Sequence, residues 1–158
     1  MIQILFVCLG NICRSPMAEA IFRDMVQKEG LEEQIKIDSA GIGDWHNGKR
    51  PHHGTLQKLQ EKNISSEGIS ARQIQPDDLQ EFEYVIAMDT ENLHDLEDIK
   101  NEHGSTAQIF RLLDLVPERE EKEVPDPYIT GDFDLAYTLI HDGCKALLEK
   151  LKRDHDLK

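Results

Sequence analysis

Residues 2–16, IQILFVCLGNICRSP, decide how the fold is read. Ile2, Ile4, Leu5, Phe6 and Val7 make a continuous apolar run rather than an alternating one, the pattern of a strand buried on both faces of a parallel sheet. The run ends at Cys8. Gly10 and Asn11 then turn the chain with residue types that tolerate left-handed conformations, and Ser15 and Pro16 suit an N-cap and a first helical residue. Beyond them Ala18, Ile21, Phe22, Met25 and Val26 recur at helical spacing along one face, and Gly30 stops that helix.

The same alternation continues outward. Ile35 to Ala40 reads as a second strand, and the interleaved Lys36 and Asp38 place it at a sheet edge. Residues 41–54 are loop, a helix is expected from about Gly54 to Lys62, and the polar stretch through Gly68 and Arg72 shows no strong period. Tyr84 to Met88 is a second continuous apolar strand, after which Asp89-Thr90 offers an N-cap to a short acidic helix. Ile109 to Leu113 supplies a fourth strand. Val116 to Thr130, which contains Pro117, Pro125 and Pro127, reads as a long irregular loop. From Phe133 a final helix of about twenty residues carries Ala136, Ile140, Cys144, Leu147 and Leu151 in one stripe. With no linker or repeat, these elements predict one α/β domain over residues 1–158: a doubly wound, four-stranded parallel sheet with helices on both faces. Sites in such sheets lie beyond the carboxyl ends of the strands, which directs attention to Cys8, the loop after Ala40, and Asp89.

Composition narrows the function classes. The 158 residues are 39% hydrophobic and 31% charged, an ordinary single-domain balance. With 31 acidic against 18 basic residues the net charge is −13, a field that repels phosphate backbones and anionic lipid, so neither nucleic acid nor a membrane surface is expected as partner. No apolar run approaches the ~18 residues of a membrane span, and the N-terminus lacks a basic n-region, so a cytoplasmic location is expected. Cys8, Cys13 and Cys144 are too few and too odd a set for a disulfide framework.

The loop after the first strand suits a phosphate. It opens onto a helix start, where unpaired N–H groups and the positive dipole end favour an anion, so Leu9, Gly10, Asn11, Ile12, Cys13, Arg14 and Ser15 form the expected phosphate-binding loop. The residue three after Ser15 is Ala18, which cannot complete a capping box; a bound oxyanion can satisfy those donors instead. Arg14 has a planar fork able to hold two phosphate oxygens. Cys8 would sit beneath the phosphorus, in a setting that favours thiolate and makes a nucleophile at neutral pH. Alone, a strand-end cysteine is a small packing residue and an arginine at a helix start is a surface charge. Strand, Cys, five residues, Arg, Ser, Pro and helix together outweigh that reading.

VCLGNICRSP resembles the active-site loop of the low-molecular-weight protein tyrosine phosphatases. Similarity to that family extends through DSAGIGDWHNG at 38–48, ARQI at 71–74, VIAMDTEN at 85–92, VPDPY at 124–128 and Gly143-Cys144 in the last helix. The resemblance implies hydrolysis of phosphotyrosine in proteins or peptides, with no metal and no other cofactor. Cys8 would attack phosphorus while Asp126 protonates the leaving phenolate; Asp126 would then serve as base while water hydrolyses the phosphocysteine. Arg14 and the loop amides would stabilise the equatorial oxygens. Composition does not single out Asp126 among the acidic residues, although Pro125 and Pro127 restrict its backbone; the resemblance selects it. The resemblance further implies that Ser15 assists the thiolate and that Asn11 holds the turn, with Ser39 as its supporting partner. Selectivity for a phenolic side chain needs a deep apolar slot, for which Leu9, Ile12, Trp45 and Tyr128 are the wall candidates.

Cys13 either joins Cys8 in a disulfide that protects the nucleophile or is a packing thiol, and both readings stand. Cys144 lies on a core stripe, and His52 and His53, with no metal spacing to any cysteine, read as surface residues. Two positions depart from the family pattern: Ile69 stands where many members have histidine, and Ile129 stands where eukaryotic members often have a second tyrosine, which favours a bacterial-type member. An arsenate reductase would need cysteines that residues 80–100 lack. A protein arginine phosphatase is a closer alternative, although related members carry threonine where Ile12 stands. A non-hydrolytic phosphocarrier would need neither Asp126 nor Arg14, and a phosphopeptide-binding module would need no nucleophile.

Overall fold

The computed structural model describes residues 1–157. Its elements run β1 (Ile2–Cys8), α1 (Arg14–Lys28), β2 (Ile35–Gly41), α2 (His53–Glu61), α3 (Asp78–Glu81), β3 (Tyr84–Ala87), α4 (Thr90–His103), β4 (Gln108–Arg111), a 3-10 turn (Leu112–Leu115), α5 (Pro127–Thr130) and α6 (Phe133–His155). The four strands form one parallel sheet in the order β2-β1-β3-β4. β1 and β3 are therefore central and β2 is an edge, as Lys36 and Asp38 imply.

The continuous apolar run of β1 feeds two cores. Ile2, Ile4, Phe6 and Cys8 face one side with the buried residues of α1 and α6, where the Phe6 and Phe22 rings meet edge to face. Leu5 and Val7 face the other, with Val85, Ala87, Leu79, Phe82 and Leu96. Burying both faces removes the alternation a half-exposed strand would show. The stripe of α6 is buried throughout, Cys144 included. No helix among the described residues is long and apolar enough to cross a membrane.

Three local expectations are corrected. Helix α1 starts at Arg14 with Cys13 as N-cap, so Ser15 is its second residue and Pro16 its third. The Ser15 hydroxyl is engaged by Asn11 and Cys8 instead of capping, and Pro16 is tolerated because a first-turn N–H has no intrahelical acceptor. The fourth strand ends at Arg111, and Leu112 and Leu113 turn into the 3-10 segment. There Leu112 packs so closely on α6 that a Cβ at Gly143 would lie 2.4 Å from its Cγ. The long loop after Val116 is irregular only to Asp126, whose carboxylate accepts from Tyr128 N and caps the short α5.

Candidate active site

β1 delivers Cys8 to the carboxyl end of the sheet, 3% exposed, and the loop then folds over it. Asn11 N–H points at Cys8 Sγ at 3.3 Å, and Ser15 N–H does so at 3.5 Å. Asn11 adopts φ 57°, a left-handed conformation that asparagine tolerates better than other side chains. Gly10 does not share it. Its lack of a side chain serves space instead, since a Cβ there would sit 3.2 Å from the His46 ring. Gly41 at the end of β2 is equally constrained, because a Cβ would meet the backbone of Gly10 and Asn11 at 3.0–3.1 Å.

The Asn11 side chain ties the loop to two other segments. Its Oδ1 accepts from Arg72 N–H at 3.0 Å, which fixes the amide orientation. Nδ2 must then donate, and it does so to Ser15 Oγ at 2.7 Å and Ser39 Oγ at 3.0 Å. Each serine oxygen thus already accepts a proton and turns its own outward. The Ser15 hydroxyl reaches Cys8 Sγ at 3.0 Å, closer than its other acceptor, Ala40 O at 3.5 Å, and the Ser39 hydroxyl reaches Glu19 Oε1 at 2.5 Å.

Arg14 lies beneath the loop, 2% exposed. Its Nη1 donates to Asp89 Oδ2 at 2.6 Å and to Val124 O at 2.9 Å, and its Nη2 stands 3.6 Å from Asp126 Oδ2. Nε has no hydrogen-bond partner among the described residues. Burial opposes the charge on Arg14, but the neighbouring Cys8 and the carboxylates of Asp89 and Asp126 outweigh it and push its pKa above the ordinary value. Cys13 is the reverse case: burial, then Cys8 and Asp126, raise its thiol to about 12, so it is protonated at neutral pH. Cys8 and Cys13 are separate thiols here.

Above Cys8 opens a slot of about 200 Å³, lined by Cys8, Leu9, Ile12, Trp45, His46, Asp126 and Tyr128, among others. All four expected wall residues line it, and Asp126 and Cys8 share it. Trp45 is 63% exposed and folds back over Gly43. His52 departs from the expected surface position: half-buried, it stacks on Phe133 and meets Tyr128 edge to face. Burial, with His53 and His46 nearby, pushes its pKa below the usual imidazole value, so it is a neutral wall support. His53 is exposed.

Three contributors, Arg72, His46 and Glu19, escape the sequence reading, and Asp89, which it placed at the site end of the sheet, has a second duty there that it did not show. Asp89 was legible as a helix cap, and it does accept from Asn92 N at 2.8 Å; its second bond, to Arg14, spans 75 positions. Arg72, within the ARQI segment, supplies a backbone N–H, which no side-chain pattern encodes. His46 follows Trp45 directly and could have been taken with it as a wall. Glu19 is one helical turn beyond Ser15 and on the buried side, a position from which an acidic residue in an otherwise apolar face could have been flagged.

A sequence profile described as low molecular weight phosphotyrosine protein phosphatase matches residues 3–157. The chain is 52% identical over 157 residues to the low molecular weight protein-tyrosine-phosphatase YfkJ of Bacillus subtilis, covering 99% of this chain and all of that one. The crystal structure of YfkJ superposes with a TM-score of 0.94, covering 98% of this chain and 96% of the other. The PtpA protein of Staphylococcus epidermidis, also a low molecular weight protein-tyrosine-phosphatase, is 42% identical, with 100% and 99% covered. A structure of a drosophila arginine phosphatase superposes with a TM-score of 0.90 at 34% identity, covering 96% of this chain and 98% of that one. Fold, loop and full-length similarity agree: this chain belongs to the low molecular weight phosphotyrosine protein phosphatase family.

Proposed function

We propose that the protein hydrolyses phosphotyrosine in protein substrates by a two-step, metal-independent displacement at Cys8. The observation that carries this reading is the convergence on one sulfur of two loop N–H groups and the Ser15 hydroxyl, beside a buried arginine whose Nε has no partner among the described residues. Donors so placed lower the energy of a thiolate and can hold the equatorial oxygens of a transferring phosphoryl group. In the first step Cys8 Sγ bonds to phosphorus as the P–O bond to the phenol breaks, and Asp126 gives its proton to the departing oxygen. In the second, Asp126 accepts a proton from water, whose oxygen displaces sulfur and releases inorganic phosphate. Asp126 shares the slot with Cys8, and its place as cap of α5 holds its backbone.

Phosphotyrosine is favoured as substrate because the slot puts apolar side chains, Leu9, Ile12, Trp45 and Tyr128, between solvent and the buried sulfur. A phenyl ring spans that depth and a short phosphoserine does not. All 158 residues are read as one catalytic unit.

The test is phosphate released from a phosphotyrosine peptide in chelator-treated buffer, native chain against Asp126→Ala. We expect rapid release, reduced about 10²- to 10⁴-fold in the variant. Absence of release from the native chain, with release from a phosphoarginine peptide, would overturn the substrate assignment. A phosphorylated Cys8 that persists in the native chain would overturn hydrolysis.

A further inference from the structure

The bonded chain from Cys8 does not end at Ser39. It runs Cys8, Ser15, Asn11, Ser39 and on to Glu19, a carboxyl group 8% exposed on the helix whose N-terminus carries the phosphate loop. Glu19 lies four residues beyond Ser15, one turn along the same face of α1. In the observed order of donors it is the acceptor, because Ser39 receives Asn11 Nδ2–H and gives its own proton to Glu19 Oε1. A carboxylate, a protonated carboxyl through its carbonyl oxygen, or a glutamine can each accept that proton. The charge can therefore change while the bonding order persists.

We propose that Glu19 is a titrating positioning residue of the phosphate loop: it orients the hydroxyl that faces Cys8 in either protonation state, and its ionisation weakens the hold on a bound anion. The inference rests on the reading of Cys8 and its loop as an oxyanion site, but not on the identity of the substrate.

The electrostatics give the sign. Burial raises the Glu19 pKa most; the Ser39 hydroxyl lowers it, Asp38 on β2 raises it, and Arg23 on α1 and Arg72 lower it, with a result of about 7. Neither arginine is free to neutralise it. Arg72 is shared with Asp38 and Asp78, and Arg23 donates to the carbonyls of Ser65 and Glu67. A negative charge that appears one turn behind the phosphate loop, in a poorly screened interior, opposes both thiolate and phosphoryl oxygens. Anion affinity thus falls as pH rises through the Glu19 midpoint. By reciprocity a bound anion must raise that midpoint by the same free energy.

Sulfate is the probe, being a dianion across the whole range. Its affinity for the native chain and for Glu19→Gln is measured from pH 5.5 to 8.5 by protection of Cys8 from iodoacetamide. The other thiols do not confuse the readout, since burial holds Cys13 and Cys144 protonated. The ratio of variant to native affinity is expected to be constant at low pH and to rise about threefold or more through neutrality. In parallel, kcat/KM for a phosphotyrosine peptide should fall about tenfold in Glu19→Ala, which removes the acceptor, and recover largely in Glu19→Gln. Carboxyl carbon-13 NMR of the native chain gives an answer even if the variants fold poorly: the Glu19 midpoint should lie near 7 and move upward in saturating sulfate. A flat affinity ratio, an ordinary carboxylate midpoint, or a midpoint indifferent to sulfate would each overturn the proposal. Failure of peptide hydrolysis with the sulfate response intact would instead indict the substrate assignment.

Discussion

Asp89 holds the buried Arg14 with one oxygen and caps α4 with the other, and two substitutions separate these duties. Serine ranks with aspartate as an N-cap, so Asp89→Ser keeps an acceptor for Asn92 N–H and removes the carboxylate from Arg14. The lost bond is short, 2.6 Å, to a guanidinium whose side chain is 3% exposed, against 20% for Asp89 itself. A charge-assisted bond of this kind contributes about 1.5–3 kcal/mol. Partial exposure of Asp89 favours the lower part of that range, so we expect Asp89→Ser to cost about 2 kcal/mol. Asp89→Ala loses the cap as well and should cost about 1 kcal/mol more. Arg14 would keep Val124 O, and the freed guanidinium, now 3.6 Å from Asp126 Oδ2, should swing toward that carboxylate. That misplaces the phosphate ligand and the proton donor together, a geometric error expected to lower kcat/KM about 10- to 100-fold. Urea denaturation gives the stabilities and a phosphotyrosine peptide the rates. An Asp89→Ser protein with native stability and native kcat/KM would refute the argument that Asp89 holds Arg14 in place. Equal stability of the serine and alanine variants would refute the separate capping contribution.

Gly143→Ala should destabilise by about 1–3 kcal/mol in urea denaturation, since its Cβ would stand 2.4 Å from Leu112 Cγ in a packed interior; an unchanged midpoint would contradict the close packing of α6 on the 3-10 turn. Trp45→Ala should leave stability within about 0.5 kcal/mol, because the ring is 63% exposed, yet raise KM for an aryl phosphate several-fold; an unchanged KM would remove Trp45 from the slot wall. Stability should also report on Glu19. Its folded pKa of about 7 exceeds the ordinary 4.5, so the native state binds the proton more tightly than the unfolded chain, and stability is lost as pH rises between those values. Relative to Glu19→Gln, the native chain should lose about 2 kcal/mol between pH 5 and pH 8; a constant difference would show that Glu19 ionises normally.

Much of this molecule is readable along the chain because the signals involved are local. The continuous apolar runs of β1 and β3 follow from burial of both sheet faces, and Lys36 and Asp38 betray the edge at β2. Asn11 in a left-handed turn and Asp89 at a helix start are likewise local chemistry. The errors have causes that composition alone does not show, some of them near in the chain and some distant. Ser15 has the composition of an N-cap, and it fails to cap because Asn11 and Cys8 compete for its hydroxyl. Leu112 and Leu113 have the composition of a strand, yet they form a 3-10 turn that seats Leu112 against Gly143 of α6, a contact between distant segments.

By itself the sequence determined a doubly wound parallel fold and a cysteine–arginine loop at the end of its first strand, because hydrophobic period, turn chemistry and motif spacing are properties of neighbouring residues. Only the tertiary structure decided which groups act on that loop. Asp89 and Val124 hold Arg14, the Arg72 backbone orients Asn11, and Ser39 links the loop to Glu19. Each of these is a hydrogen bond between distant segments, or in the case of Glu19 a burial that sets its charge, and both are fixed by packing rather than by any pattern along the chain.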